Sequence, residues 1–140
     1  MTRVLVCGGR TFGEVPRDTP VSERPRIVAV AREQARLIWD TLDAYRIDGK
    51  LTVLIHGACR TGADFHADRW ARNCLVPVEP FPARWKVDGK LDRSAGPRRN
   101  QQMIDEGKPD LVIAFPGGDG TADMISRAVK AAVEIVRIEP

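Results

Sequence analysis

Cysteine and histidine are scarce in this 140-residue sequence, and each shortage excludes a class of protein. The three cysteines, Cys7, Cys59 and Cys74, are odd in number and form no Cys-x-x-Cys pair. That argues against a disulfide framework and for a reducing, cytoplasmic setting. The two histidines, His56 and His66, do not join them at metal-ligand spacing, so no metal site is expected. No apolar run approaches the roughly 20 residues that cross a bilayer. The opening Met-Thr-Arg-Val-Leu-Val-Cys-Gly-Gly is too short and too glycine-interrupted for a signal peptide and reads as a strand. Two familiar nucleotide signatures are also missing. No G-x-G-x-x-G follows the first strand, and there is no G-x-x-x-x-G-K-[ST].

What remains suits a single soluble domain spanning residues 1–140, with 43% hydrophobic and 29% charged residues. Net charge is only +3, yet 17 of the 22 basic residues are arginine, the side chain suited to bidentate recognition of phosphate and carboxylate. A GC-rich genome gives the same bias with no functional meaning. The distribution says more. Between Arg84 and Arg99 lie Arg84, Lys86, Lys90, Arg93, Arg98 and Arg99 against Asp88 and Asp92, a local excess that fits an anionic partner or a solvated loop.

The organising stretch is Pro109 to Met124. Leu111 to Phe115 is a short apolar run bounded by Pro-Asp and Pro-Gly-Gly, the pattern of a strand buried on both faces. Gly117, Gly118 and Gly120 follow, and then an amphipathic helix with Thr121, Ile125, Ala128, Val129 and Ala132 on its apolar face. Strand, glycine turn and helix N-terminus together present backbone N–H groups to an anion, typically phosphate. A tight turn that binds nothing is the competing account.

The rest of the chain repeats the arrangement. Arg3 to Cys7 reads as a strand ending in Gly8-Gly9-Arg10-Thr11; residues 14–25 form an exposed proline-rich loop; a helix covers about Ile27 to Tyr45. Leu51 to His56 is a second strand, followed by Gly57-Ala58-Cys59-Arg60-Thr61-Gly62-Ala63-Asp64 and a helix burying Ala63, Ala67, Trp70, Ala71 and Cys74. Asp64 sits in the first helical turn, where a carboxylate suits the dipole as well as it suits a ligand. Val76 to Phe81 is a proline-interrupted edge strand, residues 82–96 a basic loop holding Trp85, and Gly96 to Asp105 a short helix with Pro97 at its first position. Glu134 to Ile138 closes the series. This alternation predicts an α/β fold: a doubly wound parallel sheet of about five strands, order 3-2-1-4-5, with helices on both faces. Ligands of such sheets bind at the strand C-termini where the order reverses, which sets Gly8-Gly9-Arg10 opposite Pro116-Gly117-Gly118.

These segments, with Trp70-Ala71 and Ala95-Gly96-Pro97-Arg98-Arg99-Asn100-Gln101-Gln102-Met103, resemble the YspA (cpYpsA-related) SLOG proteins, Rossmann-like proteins of phages and bacteria. More distant likenesses are the Lonely Guy phosphoribohydrolases, the molybdenum-cofactor carrier proteins and the DNA-processing protein A. The resemblance implies a nucleotide or ADP-ribose-like ligand in the crevice. It assigns the binding site to Gly8, Gly9, Arg10, Thr11, Gly57, Ala58, Gly62, Asp64, Arg98, Arg99, Asn100, Pro116, Gly117, Gly118, Gly120, Thr121 and Asp123. Arg10 and Arg99 act as charged clamps, Thr121 adds a hydroxyl donor, and Asp64 or Asp123 meets a ribose hydroxyl. The likeness also departs from the hydrolases. Where those carry a catalytic Glu after Pro-Gly-Gly-x-Gly-Thr, this chain has Met124, and Arg60 replaces a common Pro.

Three functions follow as expectations. The first is a binding module acting as sensor, carrier or sequestering protein, with no catalytic residue. The second is a hydrolase of an N-glycosidic or phosphate bond using Asp123 or Asp64. The third is a nucleic-acid binder using the basic loop and Trp85. No membrane partner is expected, and self-association stays open.

Overall fold

Side chains alternate across a strand, so a strand that is apolar at every position must be covered on both faces. In the computed structural model, which describes residues 2–139, β1 (Arg3–Cys7) shows the result: Val4 and Val6 enter one apolar layer, Leu5 and Cys7 the other. Met1 and Pro140, the ends of the expected domain, lie outside the described residues. β2 (Val53–His56) and β6 (Leu111–Ala114) divide the same way. Leu54, Leu111 and Ile113 join the first layer, and Ile55, Val112 and Ala114 the second.

These strands are the middle of a five-stranded parallel sheet of order β3-β2-β1-β6-β7, with β3 (Val78–Pro80) and β7 (Glu134–Arg137) at its edges. The order is the expected one once a small hairpin, described below, is set aside. α1 (Arg24–Ile47) and α2 (Ala63–Asn73) close the first face through Ile38, Leu42, Ala63, Ala67, Trp70 and Ala71. Trp70 is fully buried, and its indole N–H donates to Asp43 Oδ1 at 2.8 Å. α3 (Ala95–Asp105) and α4 (Asp119–Lys130) close the second through Met103, Ile104, Met124 and Ala128. Among the described residues, no helix is long and apolar enough to cross a membrane.

Several boundaries differ from the sequence expectation. α1 begins within the proline-rich loop, because Pro25 falls in the first turn, where its missing N–H has no partner to lose. The basic loop contains an antiparallel hairpin, β4 (Lys86–Val87) with β5 (Lys90–Leu91). Asp88 and Gly89 both have positive φ, the pair of torsions that a two-residue hairpin turn requires. α4 is turned by about one position from its expected face. Met124 is buried in place of Val129, which is 62% exposed, and Ala132 lies beyond the helix.

Candidate functional site

Cys7 pairs with Ala114 in the β1–β6 register, so both strands end level and their turns emerge side by side. The turns meet backbone to backbone, with Gly9 N–H donating to Pro116 O at 2.9 Å. A Cβ on Gly9 would stand 3.1 Å from Pro116 O, and one on Gly117 would stand 2.7 Å from Gly9 N. Glycine is therefore needed here for close approach. Above this floor opens a crevice of about 910 Å³.

Most of the expected site residues line it. Gly8, Gly9, Arg10 and Thr11 form the β1 side. Pro116, Gly117, Gly118, Gly120, Thr121 and Asp123 form the β6–α4 side. Gly57, Asp64, Arg99 and Asn100 complete the wall. Three expected residues stand apart from the lining. Arg98 bonds Asp92 on the outer surface, while Ala58 and Gly62 support the second turn from behind.

That second turn spends its amides internally. Ala58 N–H donates to His56 Nδ1 (2.9 Å), Cys59 N–H to Asp64 Oδ2 (3.2 Å), Gly62 N–H to Glu14 Oε1 (2.8 Å) and Ala63 N–H to Gly9 O (3.1 Å). Three glycine-bearing turns look alike in sequence, but this one contributes side chains rather than an amide cradle. His56 is buried, with Nε2 2.8 Å from Asp68 Oδ1, and it props the left-handed Ala58.

The start of α4 is different. Its N-cap, Gly118, has no side chain to satisfy the first-turn N–H groups, and the first helical bond runs from Ala122 N–H to Gly118 O. A Cβ on Gly118 or Gly120 would meet nothing within 4 Å. The helix thus offers its positive end to open space.

Arg99 lines the same crevice. Its guanidinium lies against Gly57, where a Cβ would collide with it, and Nη1 donates to the carbonyls of Gly57 and Phe81. Nε donates to Asn100 Oδ1 at 3.2 Å, which leaves Nη2 without a partner among the described residues. Burial pulls the Arg99 pKa below the usual arginine value, against the opposing attraction of Asp64, and the side chain remains a cation. Asp64 is itself buried. Desolvation pushes its carboxyl up, against the opposing pull of His56, the Cys59 N–H and Arg99.

Asp123 behaves oppositely. Burial raises its pKa, but hydrogen bonds from Arg127 (2.8 Å) and Asn100 (3.0 Å), with the charges of Arg127 and Lys130, outweigh this and hold it below the carboxylate range. It is a fixed, paired anion. Asn100 also donates to Gly120 O at 3.2 Å and so ties α3 to the glycine turn. The lining balances three guanidinium groups (Arg10, Arg93, Arg99) against Asp64, Asp119 and Asp123, of which Asp123 is already neutralised by Arg127. Cys7 also faces the crevice, and burial pushes its thiol up to about 12, which keeps it protonated and unreactive.

The expected binding site omits Arg93, Gly96 and Trp85, of which the sequence offers Arg93 and Trp85 to a nucleic acid, and the structure brings all three to the crevice. Gly96 lies in the Ala95 to Met103 motif and the Asp88-Gly89 turn beside Trp85 is a readable hairpin signal, whereas no motif marks Arg93.

A family model described as the YspA, cpYpsA-related SLOG family matches residues 2–87, which run from β1 into the β4 hairpin strand. No curated protein and no solved structure matches the chain.

Proposed function

Because the chain belongs to the YspA, cpYpsA-related SLOG family, we propose that it holds a nucleotide or ADP-ribose-like phosphate ligand in the crevice, as a cytoplasmic sensor, carrier or sequestering protein. Membership by itself reaches only to nucleotide-related ligands in general. The observation that carries the finer reading is the bare start of α4: open space over Gly118 and Gly120, in the same crevice that the Arg99 guanidinium lines. Phosphate would accept from first-turn N–H groups and from Arg99 Nη2, and Thr121 supplies a hydroxyl in the same lining. Thermal-shift measurements with nucleoside mono- and diphosphates and ADP-ribose, against their dephosphorylated nucleosides, test the proposal. Stabilisation is expected only from compounds bearing phosphate; equal shifts with and without it would remove the basis of the reading.

Arg99 separates a specific contact from diffuse charge. Arg99→Ala is expected to weaken nucleotide binding by about tenfold or more, from the loss of about 1.5–3 kcal/mol of charge-assisted hydrogen bonding. Arg93→Ala, at an exposed position, should change it only a few-fold. Calorimetry on the folded variants decides, and matching affinities would assign both residues to long-range attraction alone.

The Asp123 form of the hydrolase reading has less support, because that carboxylate is bonded to Arg127 and Asn100 and held ionised, which disfavours a general acid. Met124, at the position of the related enzymes' Glu, is 1% exposed and packed in the second apolar layer. A thioether brings no charge to stabilise a developing positive centre at a sugar C1′, and loss of such stabilisation commonly costs on the order of a hundredfold or more in rate. Incubation of AMP for hours with stoichiometric protein should therefore release no free adenine by chromatography. Catalytic release abolished by Asp64→Asn would establish an enzyme instead.

The nucleic-acid reading loses part of its surface. Arg98 is paired with Asp92, Arg99 is turned into the wall, and Trp85 lines the crevice.

A further inference from the structure

Trp85 is 38% exposed while Trp70 is fully buried, so Trp85 does not serve as core filling. It is nonetheless held in place. Its Cη2 atom lies 3.0 Å from where a Gly96 Cβ would stand, so the buried Gly96 lets the ring rest on the first turn of α3. Behind it, Asp92 N–H donates to Trp85 O at 2.6 Å, closing the segment that carries the β4–β5 hairpin. A large flat ring is thereby fixed in the lining of a cavity that also carries the phosphate features.

Arg10 shows what this ring accepts. Its guanidinium carbon stands 5.1 Å from the ring centroid, a planar cation laid over an aromatic face. Arg10 is exposed at the end of a long, rotatable side chain, so the contact is easily exchanged. The same face suits any flat π system. Size agrees: about 910 Å³ is far more than a phosphate group fills and falls in the range of about 300–1,000 Å³ that holds cofactor-sized ligands.

We infer that Trp85 is the stacking platform for an aromatic base, so that the crevice selects base-bearing nucleotides over sugar phosphates. The base takes Arg10's place on the ring, and the phosphate lies at the start of α4. This rests on the phosphate reading above and extends it to the class of ligand. A single mononucleotide is favoured over a strand, because strands are gripped by successive aromatic platforms, and the other aromatic of this lining, Phe12, is buried against Phe115.

The test compares the parent with Trp85→Leu and Trp85→Phe, each checked for folding by circular dichroism, in calorimetric titrations with the four 5′-mononucleotides, ribose 5-phosphate and inorganic phosphate. At least one mononucleotide should bind the parent more tightly than ribose 5-phosphate. Trp85→Leu should weaken that nucleotide by about five- to hundredfold, the range for loss of one stacked base. Ribose 5-phosphate should be left unchanged, and Trp85→Phe should keep most of the affinity. The nucleotide should also quench tryptophan emission in the parent and not in Trp85→Phe, since Trp39 and Trp70 are absent from the crevice lining. Equal affinities for nucleotides and ribose 5-phosphate, untouched by Trp85→Leu, would overturn the platform and leave the phosphate site standing. No binding by any of the compounds would overturn both. An oligonucleotide binding far more tightly than every mononucleotide would overturn the mononucleotide assignment in favour of a strand.

Discussion

Gly118→Val is expected to fold like the parent and to lose nucleotide binding by more than about a hundredfold. Gly118 has φ −103°, outside the region that favours glycine, and a Cβ there meets nothing within 4 Å. Folding therefore survives: exchanging a glycine N-cap for valine costs about 1 kcal/mol, a fraction of the about 5–15 kcal/mol a domain has to lose. The space the isopropyl group would fill is the space over the first-turn amides. A phosphate kept away from them forfeits two or more charge-assisted bonds, each worth about 1.5–3 kcal/mol. Circular dichroism melting paired with calorimetry reads both quantities. A folded variant with the parent's affinity would show that the turn is only a corner of the chain.

Gly62→Ala should do the reverse, damaging the fold whatever happens to binding. Gly62 has φ 79° and ψ −148°, a combination essentially reserved for glycine, and a Cβ there would overlap Gly9 O and stand 2.6 Å from Arg10 Cα. Backbone strain of about 1–3 kcal/mol and overpacking of about 1–3 kcal/mol sum to roughly 2–6 kcal/mol. Domains have only about 5–15 kcal/mol to lose. Urea denaturation should show a large drop in midpoint at unchanged slope. A midpoint within experimental error of the parent would mean that residues 8–11 are not seated on α2 as described.

These two glycines mark how far the sequence was legible. Both stand in turns after apolar strands, and a sequence shows only that a side chain is missing. It does not show whether backbone, torsion or ligand requires its absence. The strands themselves were readable because burial on both faces demands continuous apolar runs, as at Val4 to Cys7 and Leu111 to Phe115. The parallel, doubly wound sheet followed from the alternation with helices, which by itself suits more than one strand order. The hairpin was not read, because two residues per strand are too few to show a period, even around Asp88-Gly89. Arg98 and Arg99 were both expected in the site, with Arg99 as the clamp. About 100° of helical rotation sends one to Asp92 at the surface and the other to Gly57 inside.

The bond from Gly9 to Pro116 has a dynamic consequence. It extends the pairing of β1 and β6, two central strands, beyond the last residue of either. The floor of the crevice can therefore open only when the middle of the sheet opens, and amide exchange at Gly9 should be as slow as in the core strands. The rim obeys other rules, since Arg10 leaves Trp85 by side-chain rotation on a picosecond-to-nanosecond scale. The floor is thus ordered in advance, and any ligand of the proposed kind would cost little conformational entropy there. Arg10 and Trp85, from distant parts of the chain, meet through side chains alone, so their contact can break while the floor stays intact.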